Sequence, residues 1–241
     1  MKLLSVNNLN KHFGGLWAVR DFNFVIEKNE IVGLIGPNGA GKTTVFNILS
    51  GFFKPETGSI IFNGENIVNL KPYQICKKGV ARTFQLVKPF DNLTVQHNIR
   101  IAAYNTSKSL KEAEDITLSL LSLLGMNNKR DYLAKDLTIA ERKRLELCRS
   151  LATRPSLLLL DEVMAGLNPK EVNDIIDMVY KIYDTGITIF IIEHIMKAIM
   201  TLSQRVIVLN YGQKICEGKP GEISRDKKVI EAYLGEDDGI P

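Results

Sequence analysis

Short runs of alternating or β-branched apolar residues dominate the first quarter of the chain. They predict strands over residues 3–6, 18–26, 31–35 and 59–62. A tight-turn signal, Asn63-Gly64, follows the last of these runs. Together the segments predict an antiparallel β layer beside one buried strand, residues 31–35.

Beyond residue 85 the spacing of the apolar residues becomes helical. Helices are predicted over residues 95–104, 110–124 and 137–154. The last third returns to short apolar runs that predict buried strands, with helical segments between them. These strands cover residues 157–160, 187–192 and 205–209, and the helices cover 170–183 and 195–202. Alternating strands and helices indicate a mostly parallel sheet with both faces covered, into which the helical middle is inserted.

Composition excludes several classes of protein. The chain has 241 residues, 45% hydrophobic and 24% charged, which is typical of a soluble globular protein rather than a disordered one. No apolar run approaches the roughly 20 residues that span a bilayer, and the start of the chain lacks the pattern of a signal peptide. A net charge of +4 is too small to indicate a nucleic-acid binder. The acidic tail, residues 235–241, is expected to fray.

Cysteine and histidine spacing argues against a disulfide framework and against a zinc site. Cys76, Cys148 and Cys216 are far apart, and so are the three histidines. We therefore expect three reduced thiols in a cytosolic protein.

A glycine-rich segment between a predicted strand and a predicted helix carries the clearest chemistry. It fits the pattern G-x-x-x-x-G-K-[ST], and its glycines allow consecutive N–H groups to point at one anion. The N-terminus of the following helix, residues 44–49, adds about half a positive charge. The lysine is expected to reach the β- and γ-phosphates, and the first threonine to ligate Mg²⁺. The segment and its first helical residue are Gly36, Pro37, Asn38, Gly39, Ala40, Gly41, Lys42, Thr43 and Thr44.

Two acids follow the buried strand 157–160, where open α/β sheets place their ligands. We expect Asp161 to be the Mg²⁺ partner through water, and Glu162 to orient and deprotonate the attacking water. His194 follows the strand 187–192 and is expected to hydrogen-bond the γ-phosphate. Two solvated acids at an ordinary strand end, and a merely exposed histidine, are the structural alternatives.

These residues resemble the nucleotide-binding subunits of ABC transporters, nearly from end to end. The resemblance implies a P-loop NTPase (RecA-like) α/β core with an antiparallel β layer and an inserted α-helical subdomain. It implies one nucleotide-binding domain, with the core in residues 1–84 and 155–241 and the helical subdomain in residues 85–154.

The resemblance also implies roles for further residues. Phe13 stands where the family stacks an aromatic ring on adenine. Gln85 resembles the glutamine that contacts Mg²⁺ and water beside the membrane subunit, and His194 resembles the switch histidine. Residues 165–169 resemble the loop that crosses between two ATPase subunits, with Asn168 where many members carry Asp.

One segment departs from the family pattern. The signature is usually Leu-Ser-Gly-Gly-Gln, whereas this chain has Leu137-Thr138-Ile139-Ala140-Glu141. Ile139 disfavours the positive φ that glycine permits, so the segment cannot keep a glycine-only backbone. Thr138 and Glu141 instead form a capping box that opens a helix. Thr138 and Ala140 remain candidates for contacting ATP on a partner subunit, and a helix cap without nucleotide is the alternative.

The implied function is ATP hydrolysis that powers a membrane importer, and the pattern is closest to ATPases of branched-chain amino acid importers. The implied cofactors are ATP and Mg²⁺. The partners are a second ATP-binding subunit, identical or related, transmembrane permease subunits near Gln85, and indirectly a substrate-binding protein. The chain is then peripheral at the cytoplasmic face of the membrane. Residues 86–93, including Phe90, are candidates for permease docking or for packing between lobes.

Several other functions remain as alternatives. Urea or amide importers share these features, and an exporter ATPase or a soluble ABC ATPase of translation or DNA repair is also possible. Asn128-Lys129-Arg130-Asp131 fits the guanine-reading pattern N-K-x-D, but it follows a predicted helix instead of a strand. The transported substrate is not encoded here, since a binding protein and the permease choose it.

Overall fold

The computed structural model describes residues 1–234, and the predicted acidic tail lies outside them. Its strands are β1 (Lys2–Phe13), β2 (Leu16–Glu27), β3 (Ile31–Ile35), β4 (Thr57–Phe62), β5 (Glu65–Asn66), β6 (Val80–Arg82), β7 (Leu157–Asp161), β8 (Thr188–Ile192), β9 (Arg205–Asn210) and β10 (Gln213–Gly218). Its helices are α1 (Lys42–Leu49), α2 (Pro72–Lys77), α3 (Val95–Ala103), α4 (Leu110–Leu123), α5 (Ile139–Ala152), α6 (Pro169–Asp184), α7 (Met196–Leu202), α8 (Pro220–Ile223) and α9 (Lys227–Leu234). No helix among the described residues is long and apolar enough to cross a membrane.

The strands form two sheets. The smaller is antiparallel, with the order β2-β1-β4-β5. The larger has the order β10-β9-β3-β8-β7-β6, in which only the edge strand β10 is antiparallel to its neighbour. The predicted antiparallel layer and the mostly parallel sheet are therefore both confirmed.

Both faces of the larger sheet are covered, and alternate residues of its strands belong to different cores. Val32 and Leu34 face a core shared with α1 and the antiparallel sheet, whereas Ile31 and Ile35 face the helices on the other side. Every residue of β3, β7 and β8 is buried. Because both faces are packed, these strands read as continuous apolar runs instead of alternating ones.

The structure corrects several predicted boundaries. The first strand extends from Lys2 to Phe13 and not only over residues 3–6, because register shifts let it bend while it pairs with two neighbours. The helix predicted from residue 137 begins at Ile139, since Thr138 is its N-cap. Short elements that were not predicted are β5, α2, β6, β10, α8 and α9.

Helices α3, α4 and α5 lie between β6 and β7 in the chain and pack on one another around Val95, Ala113 and Leu145. The division into a core and a helical subdomain stays a prediction. Asn127–Lys129 is a 3-10 helix that follows α4, with no strand before it, so the guanine-reading interpretation of residues 128–131 lacks its structural context.

Candidate active site

The strand order of the larger sheet fixes the order of the predicted site residues. The parallel strands β3, β8, β7 and β6 are neighbours, and their carboxyl ends meet at one edge. The glycine-rich loop follows β3, His194 follows β8, Glu162 follows β7 and Gln85 follows β6. Segments as far apart in sequence as Gly36 and His194 thus converge on one edge of one sheet, where such sheets bind ligands.

Close backbone packing explains two glycines of the loop. A Cβ atom on Gly36 would lie 1.9 Å from the carbonyl oxygen of Leu209, and one on Gly41 would lie 2.1 Å from that of Ala18. Both residues also have φ in the left-handed half, at 153° and 103°. Any other residue would therefore push the loop away from β9 and β2, and the loop would lose its shape.

The lysine of the loop begins helix α1, with Gly41 as its N-cap. Its side chain curls back over the loop, where Nζ donates to the carbonyl oxygens of Gly36 and Pro37 at 2.6 and 2.7 Å. The ammonium group and the N-terminus of α1 therefore lie at the same loop, which is the arrangement expected for binding a phosphate chain.

Glu162 lies between the two side chains that were predicted to work with it. Its Oε1 is 2.6 Å from His194 Nε2, and its Oε2 accepts from Gln85 Nε2 at 2.6 Å. Glu162 is only 8% exposed. Glu162, which directly follows β7, is therefore not a solvated acid at an ordinary strand end.

Asp161 is the last residue of β7 and is also buried. Its Oδ2 accepts from Arg82 at 2.7 Å, and its backbone N–H donates to Thr83 Oγ1 at 3.1 Å. The guanidinium of Arg82 also donates to Asn47 of α1 and to Ser50, the C-cap of that helix. Arg82 therefore links α1 to β7, and sequence reasoning missed this residue.

A cavity of about 510 Å³ joins the three residues predicted to hold Mg²⁺. Thr43, Gln85 and Asp161 all line it. Arg82 and the exposed side chains of Phe84 and Leu86 line it as well. The predicted oxygen ligands therefore share one open space with apolar side chains at the protein surface.

Two buried charged residues behind Glu162 were also missed. Lys143 of α5 donates from Nζ to the carbonyl oxygen of Glu162 at 3.1 Å. Glu193 accepts from the backbone N–H of Met164 at 2.7 Å. Burial raises the pKa of Glu193 to about 7, against the opposing effects of the Met164 hydrogen bond and the Lys143 charge. The sequence offered two signals for these residues: Lys143 lies in an amphipathic helix, and Glu193 directly follows a buried strand.

The remaining predicted residues lie outside this cluster. Phe13 is 45% exposed, packs edge-on against Phe53, and has the Lys11 ammonium 5.1 Å from its ring centre. Thr138 is exposed at the start of α5, and its side chain accepts from the N–H of Glu141 while Glu141 accepts from the N–H of Thr138.

Ala140 is buried in the first turn of α5. Asn168 caps α6 through the N–H groups of Lys170 and Glu171. In the loop itself, Asn38 and Gly39 are exposed, whereas Ala40 is buried and Thr44 is half-buried.

Comparison with protein-family models gives two matches. Residues 19–165 match the model described as ABC transporter. Residues 213–239 match the model described as branched-chain amino acid ATP-binding cassette transporter.

Curated relatives are similar over nearly the whole chain. The high-affinity branched-chain amino acid transport ATP-binding protein LivG of Escherichia coli K12 is 41% identical, covering 97% of this chain and 98% of its own. The corresponding protein BraF of Pseudomonas aeruginosa is 39% identical with the same coverage.

Solved structures show the same fold. A nucleotide-free ATP-binding cassette from an ABC transporter superposes with a TM-score of 0.88 at 30% identity, covering 97% of this chain and 99% of its own. A dimeric ATP-binding cassette in a post-hydrolysis state with ADP and Pi superposes with a TM-score of 0.80 at 22% identity, covering 90% of this chain and 99% of its own.

Proposed function

The chain belongs to the ABC transporter family of ATP-binding proteins, and from that premise we propose that it is the ATP-hydrolysing subunit of a branched-chain amino acid importer. The placement of Glu162 between Gln85 and His194 carries the enzymatic half of this proposal. The match of the C-terminal residues 213–239 and the 41% identity to LivG support the substrate class.

The loop from Gly36 to Thr44 binds the triphosphate of ATP. Its N–H groups and the N-terminus of α1 attract the phosphates, and Lys42 offers an ammonium group that already lies against the loop. On binding, we expect the Lys42 ammonium to exchange its carbonyl acceptors for phosphate oxygens, which carry more charge. Phe13, exposed at the end of β1, stacks on the adenine ring.

The donor set around the 510 Å³ cavity fits Mg²⁺. Thr43 brings a hydroxyl, Gln85 an amide oxygen and Asp161 a carboxylate, and oxygen ligands are the ones that Mg²⁺ prefers. Arg82 occupies one carboxylate oxygen of Asp161, Oδ2, and orients the side chain. When bound, the metal neutralises charge on the β- and γ-phosphates.

Glu162 is the general base. It accepts a proton from the water that attacks the γ-phosphorus, and its carboxylate is held in place by Gln85 and His194. Because the carboxylate is nearly buried, little bulk water competes for it. His194, whose side chain is 47% exposed, is the partner that faces outward and is free to contact the γ-phosphate.

Two cassettes act together, head to tail. The start of α5, with Thr138 exposed and Ala140 buried behind it, faces the ATP bound by the glycine-rich loop of the partner cassette. Without the two glycines of the usual signature, the contact depends on the Thr138 hydroxyl and the N-terminus of α5. ATP then favours the closed pair because both chains contact it, and hydrolysis removes that advantage.

Permease subunits bind the cassette at its open cavities. The cavity that contains Gln85 shares Phe52 and Phe84 with a second cavity of about 330 Å³, and both rings are exposed. The cassette is thereby held at the cytoplasmic face of the membrane, and a substrate-binding protein reaches it only through the permease.

The test of the enzymatic proposal replaces the base and the phosphate lysine in separate variants. Glu162→Gln should bind ATP with unchanged affinity and hydrolyse it about 10²–10⁴ times more slowly, because the amide cannot accept the proton. Lys42→Ala should lose ATP binding itself. Calorimetry with Mg-ATP and a phosphate-release assay separate the two effects.

The control is Asp115→Asn, which removes an exposed carboxylate on α4. Unchanged turnover in Glu162→Gln would remove Glu162 from the reaction. For the substrate class, uptake of leucine by vesicles that hold the cassette and its permease should require ATP, and uptake of urea but not leucine would overturn it.

A further inference from the structure

Lys143 is a buried lysine of α5, and its ammonium group reaches the loop after β7 at Glu162. It stands five residues after Thr138, the N-cap of α5, or about 7.5 Å along the helix axis. Only 6% of the residue is exposed. Burial lowers the pKa of its ammonium, while the charges of Glu193 and Glu162 act in the opposite direction. A buried lysine of this kind is costly unless its ammonium has partners.

Its hydrogen-bond partner is a backbone group in a strained conformation. Glu162 has φ of +49°, in the left-handed region where a glutamate is uncommon. Such a residue persists only when its surroundings hold it. The N–H of Glu162 donates to Ile192, and its carbonyl accepts from both Lys143 and the N–H of Ala165.

Glu193 completes the arrangement from the next strand. Its carboxylate accepts from the N–H of Met164, two residues after Glu162, and it is 4% exposed. Lys143 is the basic residue whose charge acts on it. Lys143 therefore connects helix α5 to the loop after β7, through Glu162, and to the segment after β8, through Glu193.

We propose that Lys143 is a positioning residue, which holds the backbone of Glu162 so that its carboxylate stays between Gln85 and His194. The proposal rests on the assignment of Glu162 as the general base. It also gives α5 two tasks: its exposed N-terminus contacts nucleotide on the partner cassette, and its buried lysine aligns the base of its own site.

The first experiment compares Lys143→Met with Lys143→Arg and with the control Lys111→Met, which alters an exposed lysine on α4. Lys143→Met keeps the length of the side chain but removes the donor. Its kcat should fall about 10- to 100-fold, the range expected for small misplacement of a catalytic group. The Kd for Mg-ATP should not change, since Lys143 is no part of the phosphate loop.

Lys143→Arg should retain most of the activity, because its guanidinium is still a charged donor. If Lys143→Met turns over as fast as Lys111→Met, the inference is wrong. A parallel loss of kcat and ATP affinity would also overturn it, because that result indicates general damage to the fold.

The second experiment separates positioning from stability. Lys143→Met leaves Glu193 buried without its counter-charge, so this variant should unfold at a lower temperature. Adding Glu193→Gln removes the unpaired acid and keeps an acceptor for Met164. The double variant should regain stability while its kcat stays low, and recovery of both would contradict the positioning role. If Lys143→Met alone does not fold, the kcat of the double variant, compared with that of Glu193→Gln, tests the positioning role.

The third experiment asks whether Lys143 acts through Glu162. The variant that combines Lys143→Met with Glu162→Gln should be no slower than Glu162→Gln alone, because the base is already absent. Additive losses would mean that Lys143 acts elsewhere. If Glu162→Gln is fully active, the assignment of the base fails, whereas an active Lys143→Met beside an inactive Glu162→Gln refutes only the positioning role.

Discussion

At the scale of single residues, Arg82 and Lys143 place positive charge behind the sheet edge that carries Asp161 and Glu162. Arg82 neutralises Asp161, and each of the two side chains is at most 6% exposed. Removing one partner of such a pair leaves an uncompensated buried charge, which costs several kcal/mol. Arg82 meets the carboxylate of Asp161, and Lys143 meets the backbone carbonyl of Glu162. Each partner lies elsewhere in the chain, so both contacts require the complete tertiary structure.

The raised pKa of Glu193 can be tested through the dependence of protein stability on pH. Burial raises its pKa from 4.5 to about 7 in the folded protein. Between those values the folded protein holds a proton that the unfolded chain has released, so stability falls as pH rises through this window. Glu193→Gln cannot titrate. The melting temperature of the parent protein minus that of Glu193→Gln should therefore fall between pH 4.5 and 7.

A series of thermal melts in buffers of equal ionic strength measures this difference. Other groups titrate in both proteins and cancel. A difference that stays constant over the whole window, or that grows with pH, would show that Glu193 does not carry the raised pKa.

At the scale of elements, helix α5 begins where the local sequence alone specifies. The reciprocal hydrogen bonds of Thr138 and Glu141 satisfy two N–H groups that the first turn leaves unpaired. Ile139, the first residue of the helix, is 64% exposed. This exposure leaves Ile139 available to the partner chain in the proposed cassette pair.

Loss of the cap should be measurable in the isolated chain. Thr138→Ala removes the side-chain acceptor, which costs about 0.5–2 kcal/mol. For a domain of this size each kcal/mol lowers the melting temperature by about 2–4 °C. Thr138→Ser keeps the hydroxyl and should melt close to the parent protein. Equal melting of the alanine and serine variants would mean that the cap contributes nothing.

The antiparallel strand β10 shows why some elements escape prediction from sequence. Its residues, Gln213–Gly218, are exposed or half-buried and carry little apolar alternation. The strand exists because β9 offers an unpaired edge beside it. That edge is a property of the assembled sheet and has no local sequence signal.

At the scale of the whole molecule, the sheet edge and the apolar cavities are adjacent. Phe52, Arg82 and Phe84 line both the cavity with the predicted metal ligands and the neighbouring one of about 330 Å³. Arg82 lies with its guanidinium 5.2 Å from the ring centre of Phe84. A partner seated on these rings would therefore contact side chains that touch Arg82, and Arg82 pairs directly with Asp161.

Leu86 tests this surface because it lines the cavity and is 75% exposed. Leu86→Asp places a charge where an apolar partner is expected, so the permease should no longer co-purify with the cassette. ATP binding by the isolated chain should not change. The matched control is Leu110→Asp, since Leu110 is 74% exposed on α4 and lines neither cavity.

Permease that remains bound to Leu86→Asp at the level of the control would place the docking surface elsewhere. Phe90, the other residue predicted for docking, is less suitable as a test. Its ring packs under the Arg149 guanidinium at 5.3 Å, and its backbone N–H donates to Asn98. A substitution of Phe90 would therefore disturb packing within the chain as well as any docking.

The sequence by itself determined the elements whose reasons are local. Continuous apolar runs identified β3, β7 and β8, glycine spacing identified the loop between β3 and α1, and Thr138 with Glu141 identified the start of α5. In each case the signal and the structure involve neighbouring residues, because strand burial, loop conformation and helix capping act over a few positions.

Only the tertiary structure decided which distant side chains meet. It placed Glu162 between Gln85 and His194, paired Asp161 with Arg82, and put Lys143 on the carbonyl of a residue with positive φ. These contacts follow from the order of strands in the sheet and from the packing of α5 against it. Strand order and packing depend on pairing between distant segments, so no single stretch of residues encodes them.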